Sequence, residues 1–480
     1  SGNRAWVAGG AISINETEGA TINAVEFTEN VQRSTASGGG ALAIHGSGLN
    51  LTNSTFSENS SDGHGGALYL LGTDLDATGT EFQRNATLGI GGAWYQANGN
   101  AACSGCTFDR NNSSDDGGAI WSSADSLSLS DSSLSWNESS GGNGGAVSFA
   151  GGTLSIRSAS FMRNIALTGG AVAAEPWIQF STEFTVYQEN EGIFSGGGVW
   201  ASGTEDAVIQ AINNDFLANE CLAADGVAQL AVGSSTADVR NNIVAFGRVG
   251  AGIGFPPDSE PTLTHNDVYE NEGGNYAGIS DLTDTDGNLS VEPMLVELSI
   301  DRNFLNDNLY LQTESPLVAA GDPELTTTDG RRSFIGVFDR IDTEDADEDG
   351  DGYTVILGED CADDDPDTHP GADERCDDGT DNDCDGEIDE GCDDTGDVDT
   401  GHTDTGQADT GTADTAEPQD TNPPDDDGDR EPPAGDGDGV TAESPYKVDG
   451  QGCDCSVQTT PHRSGLWWLL APLLIWVRRR

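Results

Sequence analysis

Lysine is almost missing from this chain: Lys447 is the only one in 480 residues, and 19 Lys plus Arg stand against 84 Asp plus Glu, a formal net charge of -65. Such a field repels phosphate backbones and anionic lipid surfaces, which excludes nucleic acid as a partner. The same surplus of carboxylates keeps the chain soluble and gathers cations. Aromatic residues make up 7% of the chain and glycine supplies 65 positions, a balance that argues against an ordinary globular core and for an elongated fold. Long apolar runs are missing too. Residues 466–477 are apolar, but twelve residues span about 18 Å as a helix, short of the roughly 30 Å of a bilayer's hydrocarbon.

What the sequence has instead is repetition. A Gly-Gly-small-aliphatic tetrapeptide starts at Gly9, Gly39, Gly65, Gly91, Gly117, Gly144, Gly169 and Gly197, in steps of 30, 26, 26, 26, 27, 25 and 28 residues. A second mark runs in phase with it: "FTEN" at Phe27, "FSEN" at Phe56, "FQRN" at Phe82, "FDRN" at Phe108, "LSWN" at Leu134, "FMRN" at Phe161, "YQEN" at Tyr187 and "FLAN" at Phe216. A period near 26 with short alternating runs such as "LNLTNSTF" fits one turn of a right-handed parallel β-helix, an all-β solenoid. Equivalent residues of successive turns then stack about 4.8 Å apart. Phe56, Phe82, Phe108 and Phe161 are expected in the lumen. Asn59, Asn85, Asn111 and Asn164 are expected at a turn, where asparagine tolerates the left-handed conformation and bonds locally.

These paired repeats resemble those of polymorphic outer-membrane proteins over roughly residues 9–220, which implies a bacterial surface protein with a β-helical passenger. That family ends in a translocating β-barrel, and no barrel is read here, so its export mechanism is not carried over. Later turns keep the grammar without the glycine pairs in "NNDFLAN", "VRNNIVAF" and "LTHNDVYEN", with Asn271 in the turn slot. Residues 315–339 resemble the closing segment of secreted β-helix proteins. Their Pro, Gly and charged residues are expected to cap the open edge. The solenoid is therefore placed at residues 1–340, about twelve turns and on the order of 60 Å long.

Parallel β-helices also host polysaccharide lyases and glycoside hydrolases, so carboxylates deserve scrutiny. Asp109, Asp115, Asp116, Asp131 and Glu138 are the available acids, and Arg84, Arg110 and Arg163 recur just before the turn asparagine. Recurrence in one slot marks a surface ladder and not a catalytic base. No catalytic residue is assigned, and carboxylate spacing, which would separate inverting from retaining hydrolysis, is not legible in sequence. His45, His64 and His265 are isolated and read as surface or turn residues. "CSGC" (Cys103, Cys106) is a local disulfide or a pair of free thiols, since no second pair completes a zinc site; Cys221 has no evident partner.

Beyond residue 340 the composition shifts. Asp347, Asp349 and Asp351 occupy positions 1, 3 and 5 of a loop with Gly352 at position 6, and Asp381, Asp383 and Asp385 repeat this with Gly386. Carboxylates at alternate positions of a tight loop converge on a hard cation. Position 12 is Gly358 or Cys392 and not an acid, so these are short calcium loops without the EF-hand helices. Tyr353, through its backbone, and Asp360, Glu387, Asp389 and Glu390 complete the candidate ligands. Cys361, Cys376, Cys384 and Cys392 frame the unit, two disulfides with three open connectivities in an oxidising compartment.

Residues 347–390, with "DEDGDGY", "HPGADERC" and "DNDCDGEIDE", resemble the MopE-type metal-binding motif, whose name implies copper. Copper prefers imidazole, thioether or thiolate. The unit has one histidine, His369, and no methionine, so structural Ca2+ is the expectation and copper the alternative.

Residues 393–450 repeat "DTG" and lack the apolar side chains that would offset chain entropy, so they read as a disordered acidic stalk. Residues 451–480 hold a cysteine pair, a polar spacer, the short apolar run broken by Pro472, and three arginines. This resembles the MYXO-CTERM sorting signal, implying processing or lipid attachment at Cys453, a short C-terminal hydrophobic helix and anchorage to the outer membrane of a Gram-negative bacterium. A plain membrane anchor is the alternative. The chain starts without Met inside a coil and reads as a fragment or trimmed form. The function expected is surface display: adhesion through the long β-helix face to surface glycans or other cell-surface molecules. A polysaccharide-cleaving enzyme is the second reading.

Overall fold

One coil shows how the chain is built. Strands Leu68–Leu71, Leu75–Thr78, Glu81–Gln83 and Ala86–Thr87 follow one another around a turn of the solenoid, and each pairs in parallel with its equivalent in the coils before and after. The four resulting sheets are named here by what they carry: the glycine sheet, which follows each Gly-Gly pair, then the polar sheet, the phenylalanine sheet and the short turn sheet. They hold eleven, ten, ten and nine strands. The computed structural model describes residues 1–338 apart from 17–18, 176–177, 204–207, 224–225, 234–236, 258, 300–306 and 326–331, together with Thr368, Ala372, Arg375 and Asn382. Contacts divide the chain into Ser1–Thr395 and Gly396–Arg480, and all described residues lie in the first unit. The fold is an all-β parallel solenoid, with no helix among the described residues.

Period-2 alternation sets each strand's faces. In Leu75–Thr78 the Leu75 and Ala77 side chains are buried while Asp76 and Thr78 face out. The inward aromatic column is continuous over two stretches: Phe27, Phe56, Phe82 and Phe108 stack with centroids 4.7 to 5.1 Å apart, as do Phe161, Tyr187 and Phe216. Leu134 fills the slot between them.

The corners are where the fold differs from expectation. Glu58, Arg84, Arg110 and Arg163 have φ of +51 to +57°, so the residue before each turn asparagine takes the left-handed conformation. The asparagines turn inward and are buried. Asn85 Nδ2 donates to Phe56 O at 2.8 Å and to Asn111 Oδ1 at 3.0 Å, and its backbone N–H donates to the same Asn111 Oδ1 at 3.0 Å. The ladder runs from Asn30 through Asn219, and Asn271 resumes it, accepting Gly247 N–H at 3.0 Å. A second inward asparagine ladder, Asn214, Asn242, Asn266 and Asn288, lines the corner between the polar and phenylalanine sheets.

The glycine pairs make the tightest corner. Gly65 has φ +61°, and a Cβ on Gly66 would lie 2.0 Å from Gly92 O of the next coil; any side chain there would push the coils apart. Register places Val172 against Val199, so the pair in the eighth repeat is Gly196 and Gly197, with Gly198 in the alanine slot and Gly196 at φ +63°. The step into that repeat from Gly169 is thus one residue shorter than the one read at Gly197.

About ten coils form, against the twelve expected. Residues 315–338 do not cap the open edge either: the described residues of 291–338 return as a strap across the outer face of the phenylalanine sheet. A short antiparallel pair, Leu295–Glu297 with Asn308–Leu311, starts the strap. Its Leu295, Leu309, Leu311, Leu317 and Ile335 pack on the outward Val186, Leu217, Ile243 and Ala245. The physical reason lies in those four residues: the equivalent outward positions of earlier coils are Thr55, Ser57, Glu81 and Gln83, which need no cover.

Candidate binding face

The polar sheet keeps its outward rows polar. One row reads Thr21, Asn50, Asp76, Ala102, Ser128, Ser155 and Ser181, one residue per coil, and its neighbour reads Asn23, Thr52, Thr78, Ser104 and Ser130. Short side chains hydrogen-bond from coil to coil, in the second of these rows and at the leading edge of the sheet through Asp74, Asn100 and Ser126. Thr52 Oγ1 donates to Asn23 Oδ1 at 2.8 Å, Ser126 Oγ donates to Asn100 Oδ1 at 2.8 Å, and Asn100 Nδ2 donates to Asp74 Oδ1 at 3.2 Å. A shallow trough of about 560 Å³ runs along the face, lined by Thr21, Asn50, Asp74, Asp76, Asn100 and Ser128 among others. Its hydroxyls and carboxamides donate and accept and its carboxylates accept, repeated at the coil spacing.

The acids singled out in the sequence are scattered. Asp109 faces out from the phenylalanine sheet and pairs with Arg110 at 2.5 Å. Asp131 sits at the corner after the polar sheet with φ +50°, and Glu138 is exposed on the turn sheet. Asp115 and Asp116 lie in the loop before the glycine sheet. Asp116 Oδ1 accepts the Asn143 N–H at 2.7 Å, but burial outweighs this and, with Asp115 alongside, pushes its carboxyl upward. Glu175, which sequence reading passed over, is raised by burial and by the Asp116 charge. Arg84, Arg110 and Arg163 fill the left-handed corner slot, where Arg110 and Arg163 flank the Trp136 ring at 5.8 and 4.2 Å and Arg163 pairs with Glu189 at 3.1 Å. They form a ladder.

The glycine sheet carries an outward column that the sequence reading also missed: Tyr69, Tyr95 and Trp121 stack at 4.9 Å, and the His64 ring lies 5.0 Å from Tyr95. His64 Nδ1 accepts the Ile90 N–H at 3.3 Å, and burial lowers its pKa against the opposing pull of Asp115. His45 leans on Tyr69 at 5.8 Å, and His265 occupies a left-handed corner. Cys103 and Cys106 form a disulfide, while Cys221 is buried and free, its thiol pushed up by burial. Among the described residues no three His, Cys, Asp or Glu are grouped to hold a metal.

The sequence-derived metal ligands Asp347, Asp349, Asp351, Tyr353, Asp360, Asp381, Asp383, Asp385, Glu387, Asp389 and Glu390 lie outside the described residues. So do Cys361, Cys376, Cys384, Cys392 and Cys453. One tie within that segment is described. Asn382, between two of the candidate ligands, is buried; its Oδ1 accepts the Arg375 N–H at 2.9 Å and its Nδ2 donates to Thr368 Oγ1 at 3.2 Å. An intervening loop position thus serves packing. The donors proposed around it are carboxylates, a set that fits a hard divalent cation.

Family models match parts of the solenoid and of the Asp-rich segment. The MopE-type metal-binding motif matches residues 360–390, and the repeat of Chlamydia polymorphic membrane proteins matches residues 53–70 and 105–123. No curated protein matches the chain.

Proposed function

We propose that this is a bacterial cell-surface protein that binds carbohydrate along the polar sheet and holds calcium structurally in its Asp-rich segment. The polymorphic membrane protein repeats support surface display, and the trough supports binding. That trough is the observation that carries the reading: a flat, periodic face of hydroxyl, carboxamide and carboxylate groups offers sugar hydroxyls both donors and acceptors. Its short side chains lose little rotamer freedom on contact. The net charge of -65 disfavours polyuronates and favours neutral or amine-bearing chains.

The test is a panel of immobilised neutral, amine-bearing and acidic polysaccharides probed with the full chain. The expected result is retention on one of the first two classes, reduced about tenfold, or some 1.4 kcal/mol, by N50K/T78K/S128K and unchanged by A86K on the turn sheet. Equal effects of the two variants, or retention only on polyuronates, would sink the reading. Release of new chain ends from the polysaccharide would establish cleavage in place of adhesion.

A further inference from the structure

The strap leaves part of the phenylalanine sheet bare. Beyond Val186 the outward row continues through Ser160, Ser133 and Thr107, and over it lies an open groove of about 880 Å³. Its walls are mainly apolar: Met162, Phe184 and Val186 from the solenoid, Tyr310, Val337 and Phe338 from the strap. Arg157 stands at the groove with its guanidinium 4.9 Å from the Phe184 ring and paired with Glu183, and Asp131 and Asp307 line the groove as well. The strap ends within the groove. Val337 N–H is held by Asp215 Oδ1 at 3.0 Å, and the Phe338 ring lies 5.0 Å from Tyr310.

The chain that continues from Phe338 is acidic, with one exception. Residues 353–357, "YTVIL", contain the only three consecutive aliphatic residues between 339 and 465. Fourteen residues separate them from Phe338, a tether that reaches up to about 48 Å. Three coil steps from Val186 to Thr107 measure about 14 Å, close to the roughly 16 Å of five extended residues. The run itself carries no charge to meet Asp131 and Asp307 in the groove, and its aliphatic side chains match the apolar walls. We infer that this groove is the docking site of the chain's own residues 353–357, which seats the Asp-rich segment on the solenoid. The docked run begins at Tyr353, itself a candidate ligand of the first calcium loop, so cation binding and docking order the same stretch.

The chain's two methionines provide the readout, because Met162 lines the groove and Met294 lies in the strap. In the full oxidised chain, peroxide is expected to oxidise Met162 about fivefold more slowly than in V355D/I356D, as local protection predicts, with Met294 unchanged. S160R, which fills the groove from the solenoid side, is expected to speed chymotryptic cleavage after Tyr353 and Leu357. Equal oxidation of Met162 in the two chains overturns the proposal. Protection that persists in V355D/I356D also overturns it, and a dimer in light scattering would then identify a second copy as the occupant.

Discussion

Each ladder asparagine ties three coils together. Asn111 Oδ1 accepts both the backbone and side-chain N–H of Asn85, while its own Nδ2 donates to Phe82 O and Asn137 Oδ1. N111A would leave buried donors of Asn85 and the Phe82 carbonyl without partners, a loss of about 3 kcal/mol at 1 to 3 per orphaned group. F108A empties a fully buried lumen slot and is expected to cost about 3 to 5 kcal/mol. Urea unfolding of the two variants checks both, and a loss under 1 kcal/mol for N111A would contradict the ladder account. The Asn and Phe slots were legible because each recurs at one point of a fixed period. Which residue takes the left-handed φ was not, since Glu58, Arg84 and Arg110 share no chemistry that marks them; the stacking of Asn amides in the interior forces the bend onto the residue before. The Asn214 ladder had a visible signal, the doublets at 213–214 and 241–242, but they fall where the glycine pairs fade.

The strap is the element whose place sequence did not reveal, although its landing track was visible as Val186, Leu217, Ile243 and Ala245 in a row that is polar elsewhere. Pro, Gly and charge in residues 315–339 are compatible with a cap or a strap, and the outward row of the sheet decides between them. Two buried aspartates hold the strap near its ends: Asp267 Oδ1 accepts the Val291 N–H at 2.9 Å, and Asp215 Oδ1 accepts the Val337 N–H at 3.0 Å. The second oxygen of each has no partner. Burial pushes both carboxyls up to about 7, with the strap N–H opposing. Tyr269 and Tyr276 lie near Asp267, Glu292 lies near Tyr269, and Asp307 of the strap bonds Gln188, but among the described residues no basic group offsets the burial of either carboxyl. A carboxyl raised in the folded state contributes its full stability below its unfolded value near 4 and loses it as pH rises to about 7. The urea midpoint is therefore expected to fall between pH 4 and 7, and D215N/D267N, which keeps both acceptors without the charge, is expected to flatten that slope. A wild-type midpoint constant over this window would refute the assignment.

At the level of the whole chain, composition separates the solenoid, rich in glycine and alternating apolar residues, from the acidic sequence after residue 340. The solenoid was legible because its chemistry repeats, and the polar trough was not, because polar outward residues occur on every sheet and only register shows which of them form a flat row. The cation proposed for the Asp-rich segment is argued from ligand chemistry. Asp347, Asp349 and Asp351 repel one another within one loop, as do Asp381, Asp383 and Asp385, and a divalent cation removes that repulsion while the glycine at position 6 allows the turn. The tie from Asn382 to Thr368 and Arg375 brings residues next to His369 and Cys376 to the second loop, so ordering one loop constrains its neighbours. Calorimetric titration of the full oxidised chain is expected to show two calcium sites, one lost in D349N/D351N and the other in D383N/D385N. Magnesium should compete weakly, since it dehydrates reluctantly and demands tighter octahedral geometry. Copper heat that disappears in H369A, with no calcium heat in the parent chain, would replace structural calcium by copper capture; two calcium sites unaffected by H369A would leave the imidazole without a role in the metal.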